Sequence, residues 1–244
     1  MAHLFGDLIN NLLFVDNRFW VSLKYLFFKP GLMTVEFLEG KRRKFMPPVT
    51  IFLFVNVFYF FTSPMTDYSL PLVDQLYQPT HKAIANRLVE KKLAEEELTM
   101  EEYAIEYNQA SDNVSKTIMI LNIPIIAFFV YLLAIRKRKF YYDSLIFSIH
   151  YFTIFLSCVI LSGVLIPLYI WFIRLIGSNL SAWTFWFPFF MFVLPVIYAM
   201  FSFYRFIDTK WYHAIWSGLL VFLAGGVAQF IYRSIVFFVT FWTT

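Results

Sequence analysis

One cysteine, Cys158, stands in 244 residues, so the chain can form no internal disulfide and has no second thiolate for a metal site. Lying in an apolar run, Cys158 reads as a buried small hydrophobe. Charge is scarce too. Only 15% of residues are charged, where soluble chains carry about 25%, and long stretches have almost none. No Asp or Glu falls in the middle of a long apolar run, which argues against a proton-driven transporter with a carboxylate relay. The sequence has no HExxH, no GxSxG, no Walker A loop and no GxGxxG. Its four histidines, His3, His81, His150 and His213, include no pair at helical ligand spacing. No catalytic residue, no metal site and no cofactor is therefore expected. His150 and His213 read as structural residues near span ends.

Apolar residues are abundant. Hydrophobic residues make up 60% of the chain, with 32 Phe, and the charges are gathered into a few blocks. That segregation predicts an all-α integral membrane protein of about five transmembrane helices, since a helical span needs about 20 apolar residues. The expected spans are 47–63, about 116–135, 143–174, about 183–204, and Trp211 to about Tyr232. The third run would reach about 48 Å as one helix, longer than a core of about 30 Å, so it must tilt, kink or leave the bilayer early, with Gly163 and Pro167 the natural places to bend. In the last run, Gly225-Gly226 and Arg233 suggest a break, with 234–244 lying along the interface. The N-terminal segment lacks the basic start of a cleaved signal.

Four parts follow from this division. Residues 1–46 are expected to form interfacial amphipathic helices ending in a basic cluster. Phe5, Leu8, Ile9, Leu12 and Leu13 share one helical face, and Phe19, Trp20, Leu23, Leu26 and Phe27 share another. Residues 47–63 form span 1. Residues 64–114 carry ten acidic and four basic residues and are expected to form an exported helical hairpin. In it Thr80 is a cap, Thr99 and Glu102 form a capping box, Ile84, Ala85, Leu88 and Val89 cluster on one face, and Met100, Tyr103, Ala104 and Tyr107 make a stripe. Residues 115–244 form a four-span bundle with an apolar tail.

Lys and Arg at span ends set orientation. Lys41, Arg42, Arg43 and Lys44 precede span 1; Arg136, Lys137, Arg138 and Lys139 follow span 2; Arg205 and Lys210 separate spans 4 and 5. Five spans put all three groups on one side, predicting a cytoplasmic N-terminus and an extracytoplasmic C-terminus. The eight residues of the first two blocks are the candidate anionic-lipid contacts, each worth about 1 kcal/mol at an anionic headgroup layer. The intramembrane polar residues are Asn56, Asn122, His150 and Gln229, and Asn56 and Asn122 are expected to bond between helices.

The segment from Phe27 to Pro48 reads as helix, stop, charge and span. Pro30-Gly31 ends one amphipathic helix. A short helix over about 31–39 follows, placing Leu32, Val35 and Phe37 or Leu38 toward lipid or protein. Gly40 takes the left-handed position after it, and Pro48 opens span 1 where a missing amide is harmless. Pro30-Gly31, six residues, then Leu38-Glu39-Gly40-Lys41-Arg42, with Phe45 and Pro48 leading into a span, resembles a bacterial family of multi-span membrane proteins known only as a domain of unknown function. The resemblance covers mainly 16–60 and implies a bacterial inner-membrane address with no established activity. Many members of that family begin with zinc-ribbon-like CxxC pairs; this chain has none, so no zinc-linked role carries over.

The functional expectation is a non-enzymatic accessory or scaffold protein. Its expected partners are anionic lipid headgroups and either a membrane-protein complex or a second copy of the chain; nucleic acid is not expected. The alternatives are a carrier or channel for a lipid-like or uncharged solute, and an intramembrane lipid-modifying enzyme.

Overall fold

A computed structural model of the chain describes residues 17–62, 68–138, 140–175 and 188–244. Its elements run in order: α1 (Asn17–Phe28), α2 (Leu32–Leu38), a 3-10 turn (Arg42–Lys44), α3 (Pro48–Thr62), α4 (Leu72–Leu76), α5 (Lys82–Glu96) and α6 (Met100–Ile118). A second 3-10 turn (Met119–Leu121) leads into α7 (Asn122–Ala134), followed by α8 (Tyr141–Leu175), a π-helical turn (Phe189–Val193), α9 (Leu194–Ile207) and α10 (Trp211–Thr243). Among the described residues there is no strand. Five helical rods are long and apolar enough to cross a membrane: Arg42–Thr62, Met100–Ala134, Tyr141–Phe172, Phe189–Ile207 and Trp211–Thr243. That is the number read from hydropathy. The face predicted over residues 5–13, Lys139, and the start of the fourth span fall outside the described residues.

The α8 helix is the axis of the bundle. Between Ser144 and Val159 nearly every residue is buried, on all sides. A helix enclosed in this way needs no apolar stripe, and this run has no amphipathic period to read. Helices α3, α7 and α9 pack on α8, while α10 packs along α9, α7 and α6. The bundle core joins Phe52, Tyr59, Ile126, Phe147, Phe152 and Phe203 with Leu26, Met33 and Phe37 of the N-terminal helices.

The α8 helix is continuous through Gly163 and Pro167 to Leu175; Pro167 lies in its exposed part, beyond the packed core. Two expectations about the other long helices are corrected. The α10 helix passes Gly225-Gly226 and Arg233 without a break and ends at Thr243. A mid-helix glycine costs only about 1 kcal/mol relative to alanine, too little to interrupt a helix packed along its length. The tail is not laid along an interface. Phe237 and Phe241 pack instead beneath the outer layer, in a separate cluster with Leu72, Leu76, Ala85, Val89, Tyr103 and Tyr107. Lastly, α6, the second arm of the expected hairpin, is continuous with span 2. It runs through the 3-10 turn into α7 as one 35-residue rod.

Local signals fared unevenly. The capping box at Thr99 is present: Glu102 N–H donates to Thr99 Oγ1, and Thr99 N–H donates to Glu102 Oε2. Gly40 takes φ +95°, with Lys41 N–H donating to Glu36 O and Gly40 N–H to Phe37 O, the Schellman arrangement. Thr80 does not cap α5; His81 occupies that position without a side-chain cap bond. Two predicted faces are rotated. On α1, Phe19, Ser22 and Leu26 are buried while Trp20 is 60% exposed. On α2 the buried residues are Met33, Thr34 and Phe37, with Leu32 and Val35 only partly covered. Polar Ser22 and Thr34 turn inward because each finds a hydrogen-bond partner there, which a hydrophobicity pattern cannot register.

Candidate functional site

Helices α1 and α2 form a platform wedged against the ends of α8 and α9. Gly31 sits at φ +74°, and a Cβ there would come within 2.6 Å of Ser202 O and 2.7 Å of Ser202 Cα. Only glycine lets the turn approach the α9 backbone so closely. Beside it, Arg205 Nη1 donates to Pro30 O at 2.7 Å. One turn on, Thr34 Oγ1 lies 2.8 Å from His150 Nδ1, both residues buried, tying α2 to the middle of the α8 core. Met46 N–H donates to Ser22 Oγ at 2.8 Å, fixing the entry to α3. Pro30 and Gly31 thus do more than end α1. They form the contact that docks the segment. Pro48 opens α3 as expected.

The basic blocks divide into anchors and exposed cations. Lys44 Nζ bonds Glu36 Oε2 at 2.6 Å and Tyr25 Oη at 2.7 Å, bracing the 3-10 turn against α1 and α2. That hydrogen bond holds the Tyr25 phenol below its ordinary pKa. Arg138 Nε donates to Phe206 O at 2.9 Å, with its guanidinium over the Phe206 ring. Arg205 and Arg138 therefore bring the platform, the foot of α7 and the foot of α9 to one end of the bundle, where the spacing of the blocks predicted they would meet. Lys41, Arg42, Arg43, Arg136 and Lys137 are exposed at that end. Lys41 has only a 3.6 Å contact with Glu39, and Arg42 lies over Phe37 at 5.6 Å.

Of the polar residues predicted to lie within spans, Asn122 bonds within its own rod, Nδ2 to Met119 O at 3.2 Å, at the 3-10 turn. Asn56 is buried and its Oδ1 has no partner among the described residues. The interhelical bonds expected of this pair are absent there. His150 is a docking residue, and His213 is exposed beside Tyr212. Tyr232, which the sequence reading did not single out, makes the bridge expected of Asn56 and Asn122: its hydroxyl lies 3.1 Å from both Tyr68 O and Ser115 O.

At the other end, His81 clamps the outer layer to α10. Its Nδ1 lies 3.1 Å from Ser234 Oγ and 3.0 Å from Thr80 Oγ1, and its ring stacks on Phe237 at 5.0 Å. Burial holds His81 below its ordinary pKa, opposed in part by a backbone hydrogen bond at Gln75. The undocked hairpin takes up a proton near pH 6.5 that the docked one resists. The stabilisation is complete above about pH 6.5 and falls away as pH drops toward the depressed folded value. Protection of the α5 amides, taken relative to the intrinsic exchange rate at each pH, is expected to fall on acidification from neutral to about pH 5, and His81→Gln to flatten that pH dependence.

Between α8 and α10 the packing leaves a cavity of about 220 Å³, lined mostly by aromatic rings with Gly225, Gly226 and Gln229 on the α10 side. Among the described residues no group of three His, Cys, Asp or Glu side chains could hold a metal ion.

These features define a class: an all-helical chain whose five long apolar rods are closed at one end by a docked, basic N-terminal platform. A family model described as "Protein of unknown function (DUF3667)" matches residues 16–60, which are the platform together with nearly all of α3. The matched segment is the part held by Gly31, Thr34 and Lys44. No curated protein and no solved structure matches the chain.

Proposed function

We propose that the protein is a multi-pass protein of a bacterial inner membrane, with its N-terminus cytoplasmic, acting as a non-enzymatic accessory or scaffold whose platform engages anionic lipid headgroups. The observation that carries this reading is the division of labour in the basic blocks. Lys44, Arg138 and Arg205 make internal bonds, while Lys41, Arg42 and Arg43 stand exposed on a braced turn at the foot of α3, at the same end as the exposed Arg136 and Lys137. A topogenic role needs only charge on that side. A turn fixed by the Glu36–Lys44–Tyr25 bonds also gives the charges a defined position, which is what headgroup recognition uses.

Replacing Lys41, Arg42 and Arg43 together with Gln removes about 3 kcal/mol of headgroup attraction, roughly a hundredfold in affinity. Native mass spectrometry from mixed vesicles is expected to show retained phosphatidylglycerol falling sharply relative to phosphatidylethanolamine, with topology unchanged by cysteine accessibility. Unchanged lipid retention with inverted topology would reduce the cluster to an orientation signal. A carrier for an uncharged or lipid-like solute is the second reading, favoured by the cavity between α8 and α10. Solute flux in proteoliposomes, absent from protein-free vesicles, would move it to first place.

A further inference from the structure

The cavity lies where two long helices fail to meet. The α10 helix is held against α9, α7 and α6, and the space between it and α8 is bounded by Tyr151, Phe152 and Phe155 on one wall and by Phe222, Gly225 and Gly226 on the other. Phe152 and Phe155 stack at 6.3 Å, making the first wall flat. On the second, a Cβ on Gly225 or Gly226 would meet no atom within 4 Å, so the two glycines leave room that any side chain would take. Met191 and Phe192 of the π-helical turn form a third side, and Phe192 meets Phe222 edge to face at 5.9 Å. Phe192 and Gly226 are exposed on the outer surface of the bundle, so the cavity reaches the lateral surface at that rim. π-Helical turns recur at functional sites because they re-aim side chains that a regular helix would place elsewhere.

Depth and polarity identify what fits. Counting from Trp211 along α10, Phe222 stands about 17 Å and Gln229 about 27 Å from the basic end. Given the membrane reading above, on which this inference rests, the walls lie in the half of a roughly 30 Å hydrocarbon core remote from that end, with Gln229 near its headgroup boundary. Tyr68, just beyond the outer end of α3, lines the cavity too. The site is therefore apolar along its walls and polar at its outer edge. Its apolar walls suit an apolar guest. About 220 Å³ is below the range of about 300–1,000 Å³ for sites that enclose a whole drug-sized ligand, which suits a chain segment entering sideways.

We propose that the cavity between α8 and α10 is a binding site for one hydrocarbon chain of a lipid in the extracytoplasmic leaflet, seated between the Phe152–Phe155 wall and Gly225-Gly226, with the polar part of the lipid at Gln229. The chain enters between the π-helical turn and α10.

The test uses the full-length protein in phosphatidylethanolamine–phosphatidylglycerol vesicles carrying a trace of phospholipid with a mid-chain diazirine, followed by photolysis and peptide mapping. Labelling is expected to concentrate on the peptides holding Phe155 and Phe222 to Gly226, above the lipid-exposed face of α3 at Leu53, Val57 and Phe61. Gly225→Leu, whose side chain takes up the space beside the Phe152–Phe155 wall, is expected to lower cavity labelling to the level of α3 and to leave α3 labelling unchanged. Gly225→Ala, whose methyl meets nothing, is expected to label nearly as wild type. Even labelling of cavity and α3 in the wild type would overturn the site, and this comparison decides the matter even if Gly225→Leu does not fold. Equal cavity labelling in a folded Gly225→Leu overturns it as well. Release of the wild type from native membranes by alkaline carbonate would overturn the membrane reading and the site with it, whereas retention with even labelling overturns the site alone.

Discussion

Gly31→Val is expected to undock the N-terminal platform at a cost of about 2–5 kcal/mol, combining about 1–2 for a side chain in the left-handed region with about 1–3 for overpacking. The atoms in the way are Ser202 O at 2.6 Å and Ser202 Cα at 2.7 Å. Both belong to the backbone of α9 and cannot turn aside as the end of a side chain would. Displacing the turn also separates Arg205 from Pro30 O, and Thr34 from His150, the second of which leaves buried polar groups unpaired. The measurement is tryptic cleavage in mild detergent. Lys24, Lys29 and the 41–44 cluster should become rapidly cut in the variant, and the melting temperature should fall. Gly40→Ala is the control. Gly40 also has a positive φ, +95°, but a Cβ there meets nothing within 4 Å, so only the conformational cost applies. Equal cleavage of the two variants would show that backbone conformation, and not the close approach to α9, is what Gly31 supplies.

The contrast between these two glycines shows what was legible in the sequence. Gly40 was readable because its role is local: a short helix before it, cations after it and a left-handed cap between follow from neighbours in the chain. Gly31 was read as a stop, and it is one, but its larger role depends on a backbone 171 residues away in sequence. The same division holds for the basic blocks. Hydropathy and the spacing of Lys and Arg were enough to anticipate five long apolar helices and the gathering of three blocks at one end. Which of those cations are already bonded depends on Glu36, Pro30 O and Phe206 O, none of which carries a pattern.

Misreadings arose where a local rule met tertiary packing. Gly225-Gly226 are helix breakers by propensity, yet α10 runs through them because packing along the helix outweighs about 1 kcal/mol for each glycine. The α10 pair instead removes side chains from one wall of a cavity. Asn56 and Asn122 drew attention as the polar residues in apolar runs, but the cross-helix bridge is made by Tyr232, one of 15 tyrosines in a chain rich in aromatics. Nothing about its position set it apart. His81 was obscured in the same way, as a loop histidine whose partners, Ser234 and Phe237, lie on the last helix.

The outer layer gives the second large prediction. Phe237→Ala is expected to cost about 3–5 kcal/mol, the usual range for truncating a fully buried phenylalanine. Phe237 is completely buried, stacks on His81 at 5.0 Å and on Phe241 at 6.0 Å, and lies 6.1 Å from Tyr107. It is the point where α4, α5 and α6 share one apolar centre with the end of α10. That cluster is separate from the one built around α8. Loss of Phe237 should therefore loosen one layer and spare the other. Hydrogen exchange is expected to show lost protection in α4, α5 and the last turns of α10, with α8 amides between Ser144 and Val159 unchanged. Phe237→Leu should keep most of the protection, since a large apolar swap typically costs less than about 1.5 kcal/mol. Protection lost equally in α8 would mean that the two clusters unfold as one unit. The outer layer would then be part of the bundle's stability and not a unit that opens by itself.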